Sequence, residues 1–97
     1  MIVTFDDGAE SEFLGAVAFY EARKVGLGGD FMTEALAAIG RIAERPLSWP
    51  QYTENTRRHF TRRFPYSIVY SIESDTIIIW AVAHTSRDEF YWSERLI

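Results

Sequence analysis

Residues 66–84, YSIVYSIESDTIIIWAVAH, are two runs of β-branched and aromatic side chains separated by the polar triplet Glu73-Ser74-Asp75. Isoleucine, valine, tyrosine and tryptophan at this density favour extended backbone. A short polar break between two such runs folds them into an antiparallel hairpin. The first run alternates and puts Tyr66, Ile68, Tyr70 and Ile72 on one face. The second is almost wholly apolar, which marks a central strand covered on both sides. Whatever surrounds this hairpin must therefore bury two faces of it.

The preceding residues supply the candidates. Met1–Phe5 alternate and form a short strand. Residues 9–25 carry Phe13, Ala16, Val17 and Tyr20 at helical spacing, with Asp7 and Glu10 as a capping box at the start. Gly26 is placed to stop this helix in the left-handed conformation, and Gly28 and Gly29 to form the connector. Asp30 then caps a second helix with Phe31, Ala35, Ala38, Ile39 and Ile42 on one stripe, ended by Pro46, which cannot donate the next helical hydrogen bond. Residues 47–55 form a loop, and residues 56–62 alternate weakly as one more strand. A helical turn is expected from Asp88. The predicted order is β-α-α-β-β-β. This is an α+β fold with an αα-hairpin packed on one face of a mainly antiparallel four-stranded sheet, spanning residues 1–97 as a single domain.

Of the 97 residues, 47% are hydrophobic, enough for a genuine core. There is no cysteine, and His59 and His84 are the only histidines, so neither a disulfide nor a metal site is expected, and no cofactor motif appears. No apolar run is long enough to span a bilayer, and MIVTFDDGAE lacks the basic and apolar regions of a signal peptide, which predicts a cytoplasmic protein without membrane contact. The net charge of −4 argues against a chain whose main task is gripping nucleic acid. The charge is uneven, however. Residues 1–50 carry eight acids against four bases, residues 51–97 six of each, and Arg57, Arg58, Arg62 and Arg63 fall within seven residues.

Guanidinium groups stay charged and bind carboxylates or phosphates bidentately, so these four are candidates for contacting a target. Their other reading is an edge strand whose charges pair with acids on the helices and discourage sheet aggregation. His84, at the end of the apolar run, has the right chemistry for a proton-transfer group, or for a structural hydrogen bond to the C-terminal segment. Arg87, Tyr91 and Arg95 recur every four residues and would share one face of a helical turn. There they would either clamp phosphate and stack a base, or hold the tail on the sheet. Glu10, Glu12, Glu21 and Glu34 read as a solvated helix face.

Several of these segments together resemble one family. They are Gly26-Leu27-Gly28 with Asp30-Phe31, Arg62-Arg63-Phe64-Pro65-Tyr66 leading into Ile68-Val69-Tyr70, Ala81-Val82-Ala83-His84, Arg87-Asp88, and Tyr91-Trp92 with Arg95. Their order and spacing resemble the RelE/ParE superfamily, the toxins of type II toxin–antitoxin modules, often called plasmid stabilisation proteins. The match in pattern is to the ParE-like branch. RelE nucleases are rich in lysine, whereas this chain has only Lys24, and Glu89 stands where many relatives carry proline.

The resemblance implies a cytoplasmic toxin neutralised by a cognate antitoxin that lies across the helix pair and sheet. For the ParE-like branch it implies inhibition of DNA gyrase without hydrolytic chemistry. The residues' own chemistry makes Arg57, Arg58, Arg62, Arg63, Arg87 and Arg95 the target-binding candidates. The alternative is a ribosome-dependent endoribonuclease of the RelE type, cutting mRNA without metal. His84 or Tyr91 would then move protons while Arg63 and Arg87 hold the phosphate. A third reading is a non-toxic member that retains only the antitoxin-binding surface.

Overall fold

The computed structural model describes residues 1–97 and places the expected hairpin at its centre. We number the strands β1 (Ile2–Phe5), β2 (Arg57–Phe60), β3 (Tyr66–Glu73) and β4 (Thr76–His84), and the helices α1 (Asp7–Arg23) and α2 (Leu27–Glu44). The sheet order is β1-β4-β3-β2. β3 and β4 are antiparallel, as are β2 and β3, while β1 runs parallel to β4. The architecture is the expected α+β arrangement with a mostly antiparallel sheet, and the two outer strands are the two short ones. No helix is long and apolar enough to cross a membrane.

β4 does not alternate simply. The register between β3 and β4 shifts at Val69/Tyr70, so that Val69 pairs with Ala81 and Tyr70 with Ile79, leaving Trp80 without a partner. This bulge turns the strand by one residue. Ile77 and Ile79 before it and Val82 after it all face the helices, whereas Ala81 and Ala83 face the other way. The helix-side core joins these residues to Ala35, Ala38 and Ile42 of α2. It also holds an aromatic group in which Phe31 lies 4.8 Å from Tyr66, 5.3 Å from Phe64 and 5.4 Å from Tyr20, centroid to centroid. Such pairs contribute about 0.5–1.5 kcal/mol each beyond the area they bury. The rear of the sheet is covered by Trp92, with Tyr52, Tyr91 and Leu96 around it. Both faces of the central strand are thus buried, as its composition requires.

The helix boundaries depart from the sequence expectation at three points, each for a visible reason. The cap of α1 is Asp6 rather than Asp7. Asp6 is extended and its carboxylate accepts the Gly8 N–H at 2.9 Å, while Asp7 is already in the helix. α1 stops at Arg23, and Gly26, at φ 89°, serves as the residue entering α2. Gly28, Gly29 and Asp30 then belong to the first turns of α2 rather than to a connector and cap. The cap comes from the other helix: Glu21 accepts the Gly26 N–H at 2.9 Å and the Gly28 N–H at 3.0 Å. Its charge also suits the positive end of the α2 dipole. Gly28 is obligatory there, because a Cβ would lie 2.5 Å from the Val17 carbonyl oxygen. We expect Gly28→Ala to force the helices apart and to cost about 1–3 kcal/mol, read as a lower urea midpoint. A variant as stable as the parent would contradict this packing.

His59, on β2, is enclosed between α2 and the following loop. Its ring lies 3.8 Å from that of Trp49, and its Nε2 accepts a hydrogen bond from Arg41 Nε at 3.0 Å. Burial, then the nearby Arg41 and Arg62 guanidiniums, lower its pKa below the ordinary 6.5. The fold therefore holds His59 neutral. Its contribution to stability is complete above the unfolded value of about 6.5 and is lost as pH falls below it, where the unfolded chain takes up a proton that the folded chain resists. Between pH 7.5 and 5.5 the urea midpoint should fall, and His59→Gln, which keeps an acceptor for Arg41, should flatten the profile. Equal slopes in the two proteins would refute the assignment.

Candidate functional site

Where β3 begins and β4 ends, a cleft of about 220 Å³ opens between the strands, the Tyr52 loop and the C-terminal segment. Arg58, His84, Arg87 and Tyr91 line it, with Phe60 and Phe90 exposed at its mouth. Arg58 reaches it from β2 and is sandwiched over Tyr52 at 3.8 Å and Phe60 at 4.9 Å. Arg87 lies over the Tyr91 ring at 3.9 Å. Neither arginine makes an ion pair. Aromatic faces hold the two guanidinium planes in place without neutralising them.

The cleft's titratable groups are tied to neighbours. His84 Nδ1 accepts the Ser86 backbone N–H at 3.0 Å and lies 2.8 Å from the Ser86 hydroxyl. The backbone donor assigns the proton of the neutral ring to Nε2. In that state His84 offers a hydrogen-bond donor, not a proton acceptor, to a ligand. The Tyr91 hydroxyl donates to Glu12 Oε2 at 2.6 Å. Burial, reinforced by that carboxylate, raises its pKa well above the usual phenol range. Tyr91 therefore stays protonated, and its hydroxyl is occupied. Tyr52 is also raised, by burial and then by hydrogen bonding to Glu89.

The remaining arginines go elsewhere. Arg57 Nη1 donates to the carbonyls of Trp49 at 2.7 Å and Leu47 at 3.3 Å, pinning the loop after α2. β2 ends at Phe60, so Arg62 and Arg63 do not continue its alternation. Both donate their backbone N–H to Glu34, and the Arg63 side chain pairs with Asp30 at 3.3 Å across solvent. Burial opposes ionisation of Glu34, but the two backbone donors together with the Arg41 and Arg62 guanidiniums outweigh it and lower its pKa. Arg95 forms a two-pronged pair with Glu12, through Nη1 and Nη2 at 3.0 Å each, and its pKa is raised chiefly by that contact. The structure thus gathers Arg58, His84, Arg87 and Tyr91 at one cleft, puts Arg57, Arg62 and Arg63 along the α2 seam, and uses Arg95 as a strut. The tail from Asp88 is a series of turns and a short 3₁₀ segment, Ser93–Leu96, because Phe90 at φ 65° breaks any continuous helix. Arg87 and Arg95 nevertheless both lie over the Tyr91 ring.

Glu12 is the residue that the sequence pattern misplaces. Instead of facing solvent, it accepts from Tyr91, Arg95 and the Val82 N–H at 3.0 Å. Its position between the buried Ala9 and Ala16 on α1 was the available signal. Glu21 and Glu34 likewise act as caps and braces rather than as a solvated face. Truncating Glu12 to alanine would strand a guanidinium, a phenol and a backbone N–H. We expect a loss of about 3 kcal/mol in unfolding free energy, with Glu12→Gln less damaging, read by denaturant titration followed by far-UV circular dichroism. An unchanged midpoint in the alanine variant would show that the carboxylate is dispensable.

A helix pair on a mixed four-stranded sheet, with an arginine- and aromatic-lined cleft at the strand ends, defines a small α+β domain. Residues 3–89 match the family described as the ParE toxin of the type II toxin–antitoxin system, parDE, and the chain belongs to that family. Among solved structures it is similar to a chain of the chromosomal ParDE toxin–antitoxin system from P. aeruginosa, with a TM-score of 0.72 at 13% identity, covering 89% of this chain and 97% of that one. At that identity the likeness speaks for the fold. None of the curated proteins matches.

Proposed function

We propose that this chain is the toxin of a type II toxin–antitoxin module, held inactive by a cognate antitoxin, and that on release it acts on DNA gyrase in the cytoplasm by binding rather than by cutting nucleic acid. A role in plasmid stabilisation goes with that reading. The family match over residues 3–89 carries the proposal. The chemistry of the cleft supports binding over cleavage. Its two unpaired guanidiniums can hold a carboxylate or phosphate but cannot exchange protons near neutrality. The hydroxyl of Tyr91 is spent on Glu12 and Nδ1 of His84 on Ser86. The Nε2 side of His84, in the same cleft as the two arginines, is the one feature that favours the RelE-type alternative, because imidazole in its protonated form can give a proton to a leaving oxygen.

A supercoiling assay with purified gyrase and purified toxin tests this. Inhibition, or a trapped cleavage complex, is expected, and Arg58→Ala combined with Arg87→Ala should raise the inhibitory concentration by roughly tenfold or more, as loss of charge-assisted contacts requires. Full gyrase activity at large toxin excess would reject the target. Transcript cleavage on ribosomes that is lost in His84→Ala would transfer the assignment to the endoribonuclease reading.

A further inference from the structure

The cleft that presents Arg58 and Arg87 is not uniformly positive. Asp88 and Glu89 line it as well, both exposed to solvent. Neither carboxylate is within ion-pair distance of either arginine, and Glu89 stands beside the Tyr52 hydroxyl. Two free guanidiniums and two free carboxylates therefore share one mouth. Such a mixture sorts anions by their extent. A lone carboxylate that reaches the guanidiniums gains charge-assisted hydrogen bonds. A chain of phosphates on the same path must carry its next charges past Asp88 and Glu89, and like charges brought together weaken binding.

Size points the same way. The cleft's 220 Å³ is below the roughly 300–1,000 Å³ of pockets that enclose a small molecule, so it admits one protruding side chain rather than a nucleotide. The rest of the lining is largely aromatic. Phe60 and Phe90 are 48% and 43% exposed at the mouth. Phe90 is held there at φ 65°, a backbone conformation uncommon for a bulky side chain. Its ring lies 5.2 Å from that of Tyr52 and 6.1 Å from that of Trp92. A ring kept at the surface against its backbone preference marks a place where something is to be contacted. Stacking alone would accept a nucleobase as readily as an apolar side chain. Charge and volume decide between them.

We infer that the cleft recognises a single aspartate or glutamate side chain, flanked by an apolar residue, on a protein surface, and that Asp88 and Glu89 keep the phosphate backbone of nucleic acid away from the same arginines. This rests on the target reading above and narrows it: the cleft meets the protein of the gyrase complex, not its DNA.

The probes are the blocked dipeptide acetyl-Phe-Glu-amide, its glutamine counterpart and a short oligothymidylate, each titrated into the full chain at low salt with the His84 and Arg87 amide shifts as the readout. The glutamate peptide should move both signals, the glutamine peptide should bind at least about tenfold more weakly, and the oligothymidylate should leave both in place. Asp88→Asn combined with Glu89→Gln should raise the affinity for oligothymidylate at least about tenfold, and adding Arg58→Ala and Arg87→Ala should abolish that gain. Oligothymidylate binding to these arginines in the parent chain, equal binding of the two dipeptides, no shift with the glutamate peptide, or no gain in the Asp88→Asn, Glu89→Gln variant overturns the inference. Gyrase is a separate arm, and the parent chain should bind it without DNA. Binding only when DNA is present also overturns the inference. No binding with or without DNA, while the glutamate peptide still occupies the cleft, rejects the target and leaves the carboxylate site standing.

Discussion

A single carboxylate ties together three parts of the chain that are far apart in sequence. Glu12 receives hydrogen bonds from β4 at Val82, from Tyr91 and, twice, from Arg95. A carboxylate has about four acceptor positions, so this one is full. That saturation is what makes a largely buried charge tolerable. The consequences spread outward. Arg95 lies so close to the start of α1 that a Cβ on Gly8 would come within 2.6 Å of its Cζ, so a side chain there would displace the guanidinium from Glu12. With Tyr91 held by its hydroxyl, its ring becomes the platform for Arg87. With the tail anchored, Trp92 closes over Val69, Ala81 and Ala83. The rear core and the candidate cleft therefore depend on the same ion pair.

The arginines divide by what faces them. Arg57 meets carbonyl oxygens, Arg63 a carboxylate in solvent, and Arg95 a carboxylate out of it. The exposed Arg63–Asp30 pair is of a kind that contributes little to stability, whereas the Arg95 pair replaces backbone pairing at a sheet edge. Arg58 and Arg87 meet only aromatic faces. Stacking restrains a guanidinium while leaving its in-plane donors free, and it reduces the entropy lost when a ligand arrives. These two are accordingly the arginines best prepared to recognise an anionic group.

Much of the fold was legible because it follows from periodicity. The hairpin at residues 66–84, the two apolar helical stripes and Pro46 as a stop all depend on neighbours in sequence, and all appear in the structure. What the pattern missed depends on pairs that only the topology brings together. The bulge at Trp80 leaves no compositional mark, so simple alternation would have set Ala81 and Ala83 beside Ile79 rather than on the opposite face. The capping of α2 by Glu21 was hidden because its acceptor lies on the preceding helix, making Asp30 look like the cap. The arginines of residues 57–63 seemed one cluster because they are close in sequence. β2 ends after Phe60, and the chain then turns toward α2, so their side chains diverge.

An exposed edge in the middle of a sheet is a hazard for any small β-containing domain, and chains usually block it with charge, bulges or a covering loop. This one has blocked the first part of the β4 edge by all three routes: the Trp80 bulge, the Glu12–Arg95 pair, and the tail that carries Arg95. The protection ends two residues before the strand does. Extending it would have needed only one more polar side chain on α1 near Gly15, one helical turn beyond Glu12 on a similar face. The chain has glycine there instead, with open space around it. The defence of this edge therefore ends at Val82, beside a glycine, an exposed phenylalanine and an arginine without an acidic partner.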